Sequence, residues 1–469
     1  MYKKEVMLIK LQLHKIFKIS YQLTNTVKKS LLSKQHSLYS NKLGLIARSH
    51  PAIMKLTSPE FKSLFTLELM TLASLFENHN YQIRIAGGAV RDLLMGNKPK
   101  DLDFATTATP DQMKAMFFQE RIRTINNKGE SHGTITARIN NKENFEITTL
   151  RIDKVTDGRH AEVEFTTDWQ VDAGRRDLTI NSMFLGLDGT LYDYFHGYDD
   201  LMKRRVVFVG EPSQRIQEDY LRILRYFRFY GRIAENNENH EEATLKAIRE
   251  NTGGLSKVSG ERIWLELSKI LLGNFSSELV VLMLELGVGP HIGLSKNPNI
   301  NEFKHICSLT KKMSLNAITK LTPLVNDEKE WLSLNTRLKF SCYERDLGLF
   351  IIRHRNELSV SYKWCQKITI LSNFKGKFSD LQEFIKEFLR YQNAVNVLHD
   401  YQKWQVPKFP VGGNDLKSLG VPMGKHVARL IIKLKEYWFE KNFEPNSEEI
   451  LQQVPEFLNE MGFHFKPKP

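Results

Sequence analysis

Two aspartates separated by one residue are the first part of the chain whose chemistry can be predicted. Asp101 and Asp103 lie in the run Lys100-Asp101-Leu102-Asp103-Phe104-Ala105. Alternate side chains of a β-strand share a face, so the two carboxylates would lie side by side. Such a pair repels itself unless a cation lies between them, and Mg²⁺ prefers oxygen ligands. The pair therefore predicts a divalent-metal site, and two harmless acids at a solvated strand end are the alternative interpretation.

A pair of glycines precedes these acids at a predicted strand-to-helix turn. The strand is expected over Gln82–Ala86, Gly87 and Gly88 follow, and Arg91 would lie one turn into the helix. Glycine lets the backbone approach a ligand closely, and a helix N-terminus attracts anions. The pattern predicts a phosphate site, and a tight structural turn is the alternative.

A second polar block occurs within residues 174–183. Arg176, Asp177 and Asn181 are interleaved with apolar residues that predict a packed helix. Arginine can bind phosphate, whereas aspartate and asparagine can bind ribose hydroxyls. The residues alone are equally consistent with a helix that contains an internal ion pair. The apolar residues concerned are Leu178, Ile180, Met183 and Phe184.

A third block lies on a helix predicted over Gln214–Gly231. Its apolar residues fall on one stripe, which predicts a buried face. Asp219, Arg222, Arg225 and Arg228 recur every three residues on another side and predict a polar surface that faces a charged ligand. An exposed basic stripe is the alternative. The predicted buried stripe consists of Ile216, Tyr220, Ile223 and Phe227.

The elements that would position these residues mix helices and strands up to about residue 205 and are mostly helical afterwards. A polar loop is expected at Glu235–Glu241. This order predicts an α/β head followed by a long all-α remainder. Further strands are predicted at Leu102–Ala105, Thr134–Ile139 and Phe145–Thr149. Further helices are predicted at 60–78, 109–120, Glu242–Glu250, Gly260–Leu272 and Ser277–Leu286.

The glycine turn followed by an acidic pair on the next strand resembles the core signature of the polymerase β type nucleotidyltransferases. In that superfamily the turn holds a triphosphate and the acids hold metal ions. The resemblance implies a third carboxylate on a neighbouring strand. Glu146, flanked by Phe145 and Ile147, is the candidate, and Asp153 is the alternative.

Taken together, the blocks resemble the CCA-adding enzymes, the tRNA nucleotidyltransferases of the bacterial and eukaryotic class. GGAVRD with DLDF is similar to the first motif of that family, and RRDLTINSM to its second. EDYLRILRYFRF is similar to the nucleotide-selecting motif, and Gly260-Glu261-Arg262-Ile263 to the helix motif that follows it. The order and spacing agree over about 57–290, whereas the resemblance of Phe409–Leu416 to eukaryotic members is less specific.

The resemblance implies a nucleotidyltransferase head at 57–205, a helical neck at 206–290 and a tRNA-binding helical body and tail at 291–469. It also implies a role for each motif position. Asp101 and Asp103 would bind two Mg²⁺ ions, with Glu146 as the third catalytic carboxylate. The nucleotide would contact Gly88, Arg91 and Arg176 through its phosphates, Asp177 and Asn181 near the ribose, Asp219 and Arg222 at the base edge, and Arg225 and Arg228 along the triphosphate.

The activity implied is the addition of CCA to the 3′ end of tRNA from CTP and ATP, without a nucleic-acid template and with release of pyrophosphate. A poly(A) polymerase of the same superfamily is the alternative, because its head motifs are nearly identical. The intact Asp101 and Asp103 pair argues against a catalytically inactive RNA-binding protein.

The net charge of +13 is concentrated at the N-terminus. Residues 1–56 contain eleven Lys or Arg and a single acid, Glu5. A basic, acid-poor segment with an amphipathic start resembles a mitochondrial transit peptide, which predicts a presequence over 1–53 and a mitochondrial location. Initiation at Met54 would omit it and predicts a second, cytoplasmic or nuclear form.

Two further features limit the class of protein. No apolar run approaches 18 residues, so we expect no membrane-spanning helix. Cys307, Cys342 and Cys365 are too widely spaced for a metal site or a disulfide framework, so we expect isolated buried thiols.

Overall fold

The computed structural model describes residues 47–125, 127–156, 161–372, 374 and 376–463. The amphipathic start of the predicted presequence lies outside them. Contacts divide the chain into two compact units, one through Ile292 and one from Gly293. None of the helices among the described residues is long and apolar enough to cross a membrane.

The first unit is built on a mixed eight-stranded sheet. The strands of the unit are β1 Ala52–Lys55, β2 Ile83–Ala86, β3 Asp103–Thr106, β4 Arg123–Ile125, β5 Thr134–Ile139, β6 Glu143–Thr149, β7 Arg151–Thr156, β8 Ala161–Phe165, β9 Phe184–Gly186 and β10 Thr190–Tyr192. The strand order in the sheet is β1-β10-β9-β2-β3-β6-β5-β4, and β3 and β6 pair in parallel whereas the other neighbours are antiparallel. A separate hairpin is formed by β7 and β8. The α/β head with a mixed sheet is thus confirmed.

Alternation of side chains explains how the sheet forms its core. In β5, Ile135, Ala137 and Ile139 are buried while the residues between them are half-buried. The rings of Phe104 and Phe145, on adjacent strands, meet edge to face with centroids 5.6 Å apart. Because one face of the sheet is packed in this way, the register of β3 and β6 is fixed.

Helices cover the sheet and then continue as a helical neck within the first unit, and the second unit is largely helical. The polar segment Glu235–Glu241 has no regular structure, as predicted. The helices of the first unit are Pro59–Lys62, Leu67–Asn78, Gly88–Leu94, Pro110–Gln119, Trp169–Gly174, Gly197–Met202, Pro212–Glu218, Arg222–Ile233, Glu242–Asn251, Gly260–Leu271, Ser276–Glu285 and Gly289–Ile292. Those of the second unit are Ile300–Leu309, Ala317–Leu321, Glu328–Leu338, Cys342–His354, Tyr362–Leu371, Phe378–Tyr391, Val395–Lys403, Gly413–Ser418, Lys425–Glu440, Ser447–Leu451 and Val454–Glu460.

Two helices that were predicted as continuous are broken by polar side chains. The helix expected over 60–78 is interrupted before Thr66, whose hydroxyl accepts the N–H of Leu69 at 3.1 Å. The helix expected over 214–231 is interrupted at Asp219, which is extended (φ −153°) and accepts the N–H of Leu221 at 3.2 Å. Threonine and aspartate side chains compete for backbone N–H groups in this way.

The packed helix expected around Leu178–Phe184 is wrong. The segment forms a 3₁₀ turn at Thr179–Asn181 and then enters β9. Leu178 makes an isolated antiparallel bridge with Phe208. The apolar residues are buried on all sides, and a short apolar run of this kind does not distinguish a helix from a strand.

Residues 47–53, which the predicted presequence includes, pack against the head. The Arg48 N–H donates to the Tyr194 carbonyl at 2.9 Å, and the Arg48 guanidinium pairs with Asp199 and with the fully buried Asp193, the latter at 3.4 Å. Strand β1 pairs with β10 along the sheet edge. A form that starts at Met54 would therefore lack Arg48 and half of β1.

The three thiols differ more than expected. Cys365 is buried, and burial raises its pKa to about 12. Cys342 is exposed and Cys307 is half-buried, so the prediction of buried thiols holds only for Cys365.

Deletion of residues 1–53 is expected to destabilise the head by about 1–3 kcal/mol relative to deletion of residues 1–46. The larger deletion leaves Asp193 without Arg48, which is its guanidinium partner. Thermal unfolding followed by circular dichroism measures the difference. Arg48→Ala in the longer form separates the ion pair from the strand, and equal melting temperatures for all forms would contradict the assignment of 47–53 to the fold.

Candidate active site

A cleft of about 1320 Å³ in the first unit gathers most of the residues predicted to do chemistry. Eleven of the twelve predicted site residues line it, and Glu146 is the exception. Three stretches far apart in sequence meet there: the glycine turn with the acids, the second block, and the helix Arg222–Ile233, here called the arginine helix. The eleven are Gly88, Arg91, Asp101, Asp103, Arg176, Asp177, Asn181, Asp219, Arg222, Arg225 and Arg228.

The acids lie where β3 begins. Asp103 and Glu146 are register partners in the parallel pair β3–β6, and both are exposed. Partial desolvation by the surrounding protein atoms raises the pKa of Asp103, although its surface is exposed, and the negative charges of Glu146 and Asp101 raise it further, whereas Arg176 opposes them. A carboxylate so disfavoured in its ionised form suits a bound cation.

The donor set at this point is oxygen only, which fits a hard divalent cation. Among the described residues, no group of three or more His, Cys, Asp or Glu side chains is close enough to enclose a metal ion by itself. The two carboxylates of Asp101 and Asp103 do not by themselves fill the coordination sphere of such a cation. This is the usual situation of Mg²⁺, which takes one or two carboxylates together with substrate phosphates and water.

Asp153, the alternative third carboxylate, forms ion pairs with two arginines. Its two oxygens lie 3.4 Å from Arg151 Nε and 3.6 Å from Arg175 Nη1. Glu146 stands directly beside Asp103 instead. The geometry therefore favours Glu146 over Asp153 as the partner of the acidic pair.

The turn between β2 and the helix Gly88–Leu94 requires glycine at its first position. Gly87 has φ +64°, and a Cβ there would lie 3.3 Å from Arg176 Nη1. A side chain at this position would be strained and would crowd the guanidinium. Gly87 therefore allows Arg176 to approach the backbone of the turn.

A chain of hydrogen bonds links this helix to the arginine helix. The buried Arg91 donates to Asn181 Oδ1 at 2.5 Å, and Asn181 Nδ2 donates to Asp177 Oδ1 at 3.3 Å. Arg225 Nε donates to Asp177 Oδ2 at 2.7 Å. Burial alone would raise the pKa of Asp177, but Arg225 outweighs it and lowers the pKa to about 2. The carboxylate therefore stays ionised and fixes Arg225.

Asp172 is a buried anchor that the sequence analysis missed. It is 1% exposed, and its Oδ1 accepts Arg175 Nε at 2.8 Å while its Oδ2 accepts Arg176 Nη2 at 3.0 Å. Burial opposes ionisation, but the two arginines lower the pKa of Asp172 below its usual value. The signal in the sequence is an acid three and four residues before two consecutive arginines on a helical stretch.

The two residues predicted to select the base lie in the same cleft but do not pair with each other. Arg222 donates to Glu218 Oε2 at 2.6 Å and to the backbone carbonyls of Arg215 and Arg175 at 3.0 Å. Asp219 accepts Arg262 Nη2 at 2.7 Å. Arg262 had been noted only as part of a motif, and its contact with Asp219 was not predicted.

The cleft as a whole is strongly positive. Cationic side chains in its lining outnumber acidic ones two to one, which favours a polyanionic ligand. The cations are Arg91, Lys98, Lys100, Arg151, Arg175, Arg176, Arg222, Arg225, Arg228, Arg232, Arg262 and Lys269, and the acids are Asp92, Asp101, Asp103, Asp153, Asp177 and Asp219.

Sequence comparison identifies the family of the chain. A family model described as the Poly A polymerase head domain matches residues 83–207, and one described as a probable RNA and SrmB-binding site of polymerase A matches 240–293. The chain is 52% identical over 403 residues to the Mus musculus protein named CCA tRNA nucleotidyltransferase 1, mitochondrial, covering 86% of this chain and 93% of the mouse protein. The chain belongs to the CCA tRNA nucleotidyltransferase family.

More distant members of the CCA tRNA nucleotidyltransferase family share the fold. A CCA-adding enzyme of Lactococcus lactis subsp. cremoris is 28% identical over 402 residues, which are 81% of this chain and 94% of that enzyme. The structure of the Bacillus stearothermophilus CCA-adding enzyme in complex with CTP matches with a TM-score of 0.65 at 23% identity, covering 87% of this chain and 99% of that one. The Thermotoga maritima CCA-adding enzyme complexed with tRNA matches with a TM-score of 0.59 at 19% identity, covering 85% and 98%.

Asp172→Asn is expected to destabilise the first unit by about 3 kcal/mol, because the half-buried Arg176 loses its carboxylate and Arg175 keeps only Asp153. Thermal or urea unfolding measures the loss. Asp111→Asn is the matched control, since Asp111 is 90% exposed in its pair with Lys114 and should contribute less than about 1 kcal/mol. Equal effects of the two substitutions would contradict the anchoring role of Asp172.

Proposed function

We propose that the protein completes the 3′ end of tRNA by adding C, C and A from CTP and ATP without a nucleic-acid template. The observation that carries the proposal is the joining, in one positive cleft, of the acidic pair Asp101 and Asp103 with the polar pair Asp219 and Arg222. The first pair suits a metal-dependent transfer and the second suits recognition of a base. The family relationship supports the same reaction.

In each step the terminal 3′-hydroxyl of the tRNA attacks the α-phosphate of the nucleotide. A new phosphorus–oxygen bond forms, the bond to the pyrophosphate breaks, and the hydroxyl proton is released. Asp101 and Asp103 are proposed to hold Mg²⁺, with Glu146 beside them as the third carboxylate. A divalent cation bound there supplies positive charge for the attacking and leaving oxygens.

The arginines of the cleft are proposed to hold the triphosphate. Arg225 and Arg228 lie on one wall, and Arg91 lies on the helix that follows the glycine turn. Arg176 and the backbone at Gly88 complete the phosphate contacts. Asp177 and Asn181, which are hydrogen-bonded to each other, are proposed to lie near the ribose.

Asp219 and Arg222 are proposed to read the base edge. Aspartate offers acceptors and arginine offers donors, which together match the amino group and ring nitrogen of C and A. G and U present donors and acceptors in the opposite order. Arg262 contacts Asp219, and Glu218 contacts Arg222. These two contacts are proposed to hold the base-reading side chains in place before the nucleotide enters.

Two parts of the proposal concern the rest of the chain. The helical unit from Gly293 is proposed to hold the tRNA body through backbone and shape rather than sequence. The basic N-terminus and the mitochondrial name of the mouse relative support a mitochondrial location. A second, cytoplasmic or nuclear form is proposed to start at Met54, and it would lack the ion pair of Arg48 with Asp193.

Incubation of the purified protein with tRNA lacking CCA and with single labelled nucleotides tests the reaction. CTP alone should add two residues, and ATP should add one residue only after both C residues are present. Long runs of A would instead indicate a poly(A) polymerase, and no incorporation would contradict the proposed function.

Asp103→Ala should reduce the addition of both C and A by at least about a thousandfold, because the metal-holding pair is lost from every transfer step. Binding of tRNA, measured by filter retention, should remain. Asp188→Ala removes an exposed acid in the turn between β9 and β10 and is the control. Near-normal turnover of Asp103→Ala in Mg²⁺ would rule out the metal-holding role.

Arg222→Ala should reduce the discrimination of CTP and ATP from UTP and GTP by roughly five- to a hundredfold, the worth of one good bidentate contact. Incorporation of the four nucleotides is measured separately, and Arg222→Lys tests whether charge alone is sufficient. Equal proportional losses for all four nucleotides would place Arg222 in a phosphate-binding or structural role.

A further inference from the structure

One aromatic ring lies among the arginines of the cleft. Phe229 is on the arginine helix, lines the cleft and is 5% exposed. The guanidinium carbons of Arg228, Arg91 and Arg225 lie 4.2, 4.9 and 5.4 Å from its ring centroid. All three distances are within the range of cation–π contacts. Two of the arginines belong to the arginine helix itself, and Arg91 reaches the ring from the helix after the glycine turn.

The positive charges of these three guanidiniums repel one another, and this repulsion must be offset by attractive interactions. Burial lowers the pKa of Arg228, and the charges of Arg225 and Arg91 lower it further. Burial likewise lowers the pKa of Arg91. The face of an aromatic ring is negative, so it attracts the guanidiniums without neutralising them.

Each arginine is held from another direction by its own carboxylate. Arg91 pairs with Asp92 at 3.0 Å, Arg225 with Asp177 at 2.7 Å, and Arg228 with Glu266 at 2.9 Å. The carboxylates are separate, whereas the ring is common to all three guanidiniums. Among the described residues, the buried Arg91 Nε has no hydrogen-bond partner, so the Arg91 guanidinium has one N–H donor that is not used within the protein.

We propose that Phe229 is a positioning residue, whose ring holds the guanidiniums of Arg91, Arg225 and Arg228 in the arrangement that receives the triphosphate. The proposal rests on the proposed function, because it assigns these arginines to the phosphates of CTP and ATP. The ring also joins the helix Gly88–Leu94 to the arginine helix, so it fixes the distance between two sides of the phosphate site.

Phe227 provides the comparison with an ordinary core residue. It is fully buried two positions earlier on the same helix, and its ring meets Tyr226 with centroids 5.3 Å apart. Its other ring contact among the described residues is with His240. Phe227→Leu should therefore lower stability without changing the affinity for nucleotide.

The test measures the dissociation constants of CTP, ATP and pyrophosphate for the full chain in Mg²⁺ without tRNA. Phe229→Leu keeps an apolar side chain but removes the ring, and it should weaken all three ligands together by roughly five- to thirtyfold. KM for both nucleotides should rise with a smaller change in kcat. Phe229→Tyr retains the ring and should restore affinity to within about twofold of the wild type.

Three results would overturn the proposal. These are wild-type affinity in Phe229→Leu, an effect on nucleotides without one on pyrophosphate, or a tyrosine variant as weak as the leucine variant. If Phe229→Leu does not fold, incorporation of trifluorophenylalanine at position 229 preserves the shape and weakens the negative ring face. Unchanged affinity of that protein for pyrophosphate would also overturn the proposal.

Wild-type transfer to tRNA lacking CCA is measured in parallel. Failure of the wild type to add C and A contradicts the proposed function itself. Normal transfer by the wild type together with any of the overturning results contradicts only the role of Phe229.

Discussion

The candidate site depends on keeping many positive charges close together before any ligand neutralises them. Two buried acids five residues apart, Asp172 and Asp177, hold three of these arginines. Asp172 holds Arg175 and Arg176 within its own stretch of chain, and Asp177 holds Arg225 of the arginine helix. Removing a carboxylate from such a group leaves buried charge without compensation, so these acids fix both the shape and the stability of the cleft.

The second requirement is that some carboxylates lie near these cations without forming ion pairs with them. The parallel pairing of β3 with β6 meets it, because the register places Glu146 next to Asp103 at the start of β3, in the interior of the sheet. Asp153, by contrast, lies between Arg151 and Arg175. The cleft therefore contains acids of two kinds, those that hold arginines and those that can hold a cation.

Much of this arrangement could be predicted from sequence because the patterns are local. Strand alternation located Asp103, and the spacing of three placed Arg222, Arg225 and Arg228 on one side of a helix, where all three line the cleft. The break at Asp219 was missed because it depends on its own side chain accepting a backbone N–H. The anchoring role of Asp172 was missed because its ion pairs with arginine contribute strongly only when the carboxylate is buried, and burial depends on the tertiary structure.

The packing of residues 47–53 against the head could not be predicted for a similar reason. Basic composition gave no sign that Arg48 pairs with Asp193, about 145 residues later in the chain. Ion pairs between distant segments leave no periodic pattern in the sequence. The same holds for the ring of Phe229, whose contact with Arg91 joins residues that no local motif relates.

The edge position of β1 has a consequence for solubility. Because β1 covers β10, the backbone groups of Thr190–Tyr192 on that side are paired within the chain. A head without β1 would present β10 as an open edge, and such edges pair with strands of other molecules. Shortened chains would then be limited by self-association during expression and storage, before any defect in the cleft could be observed.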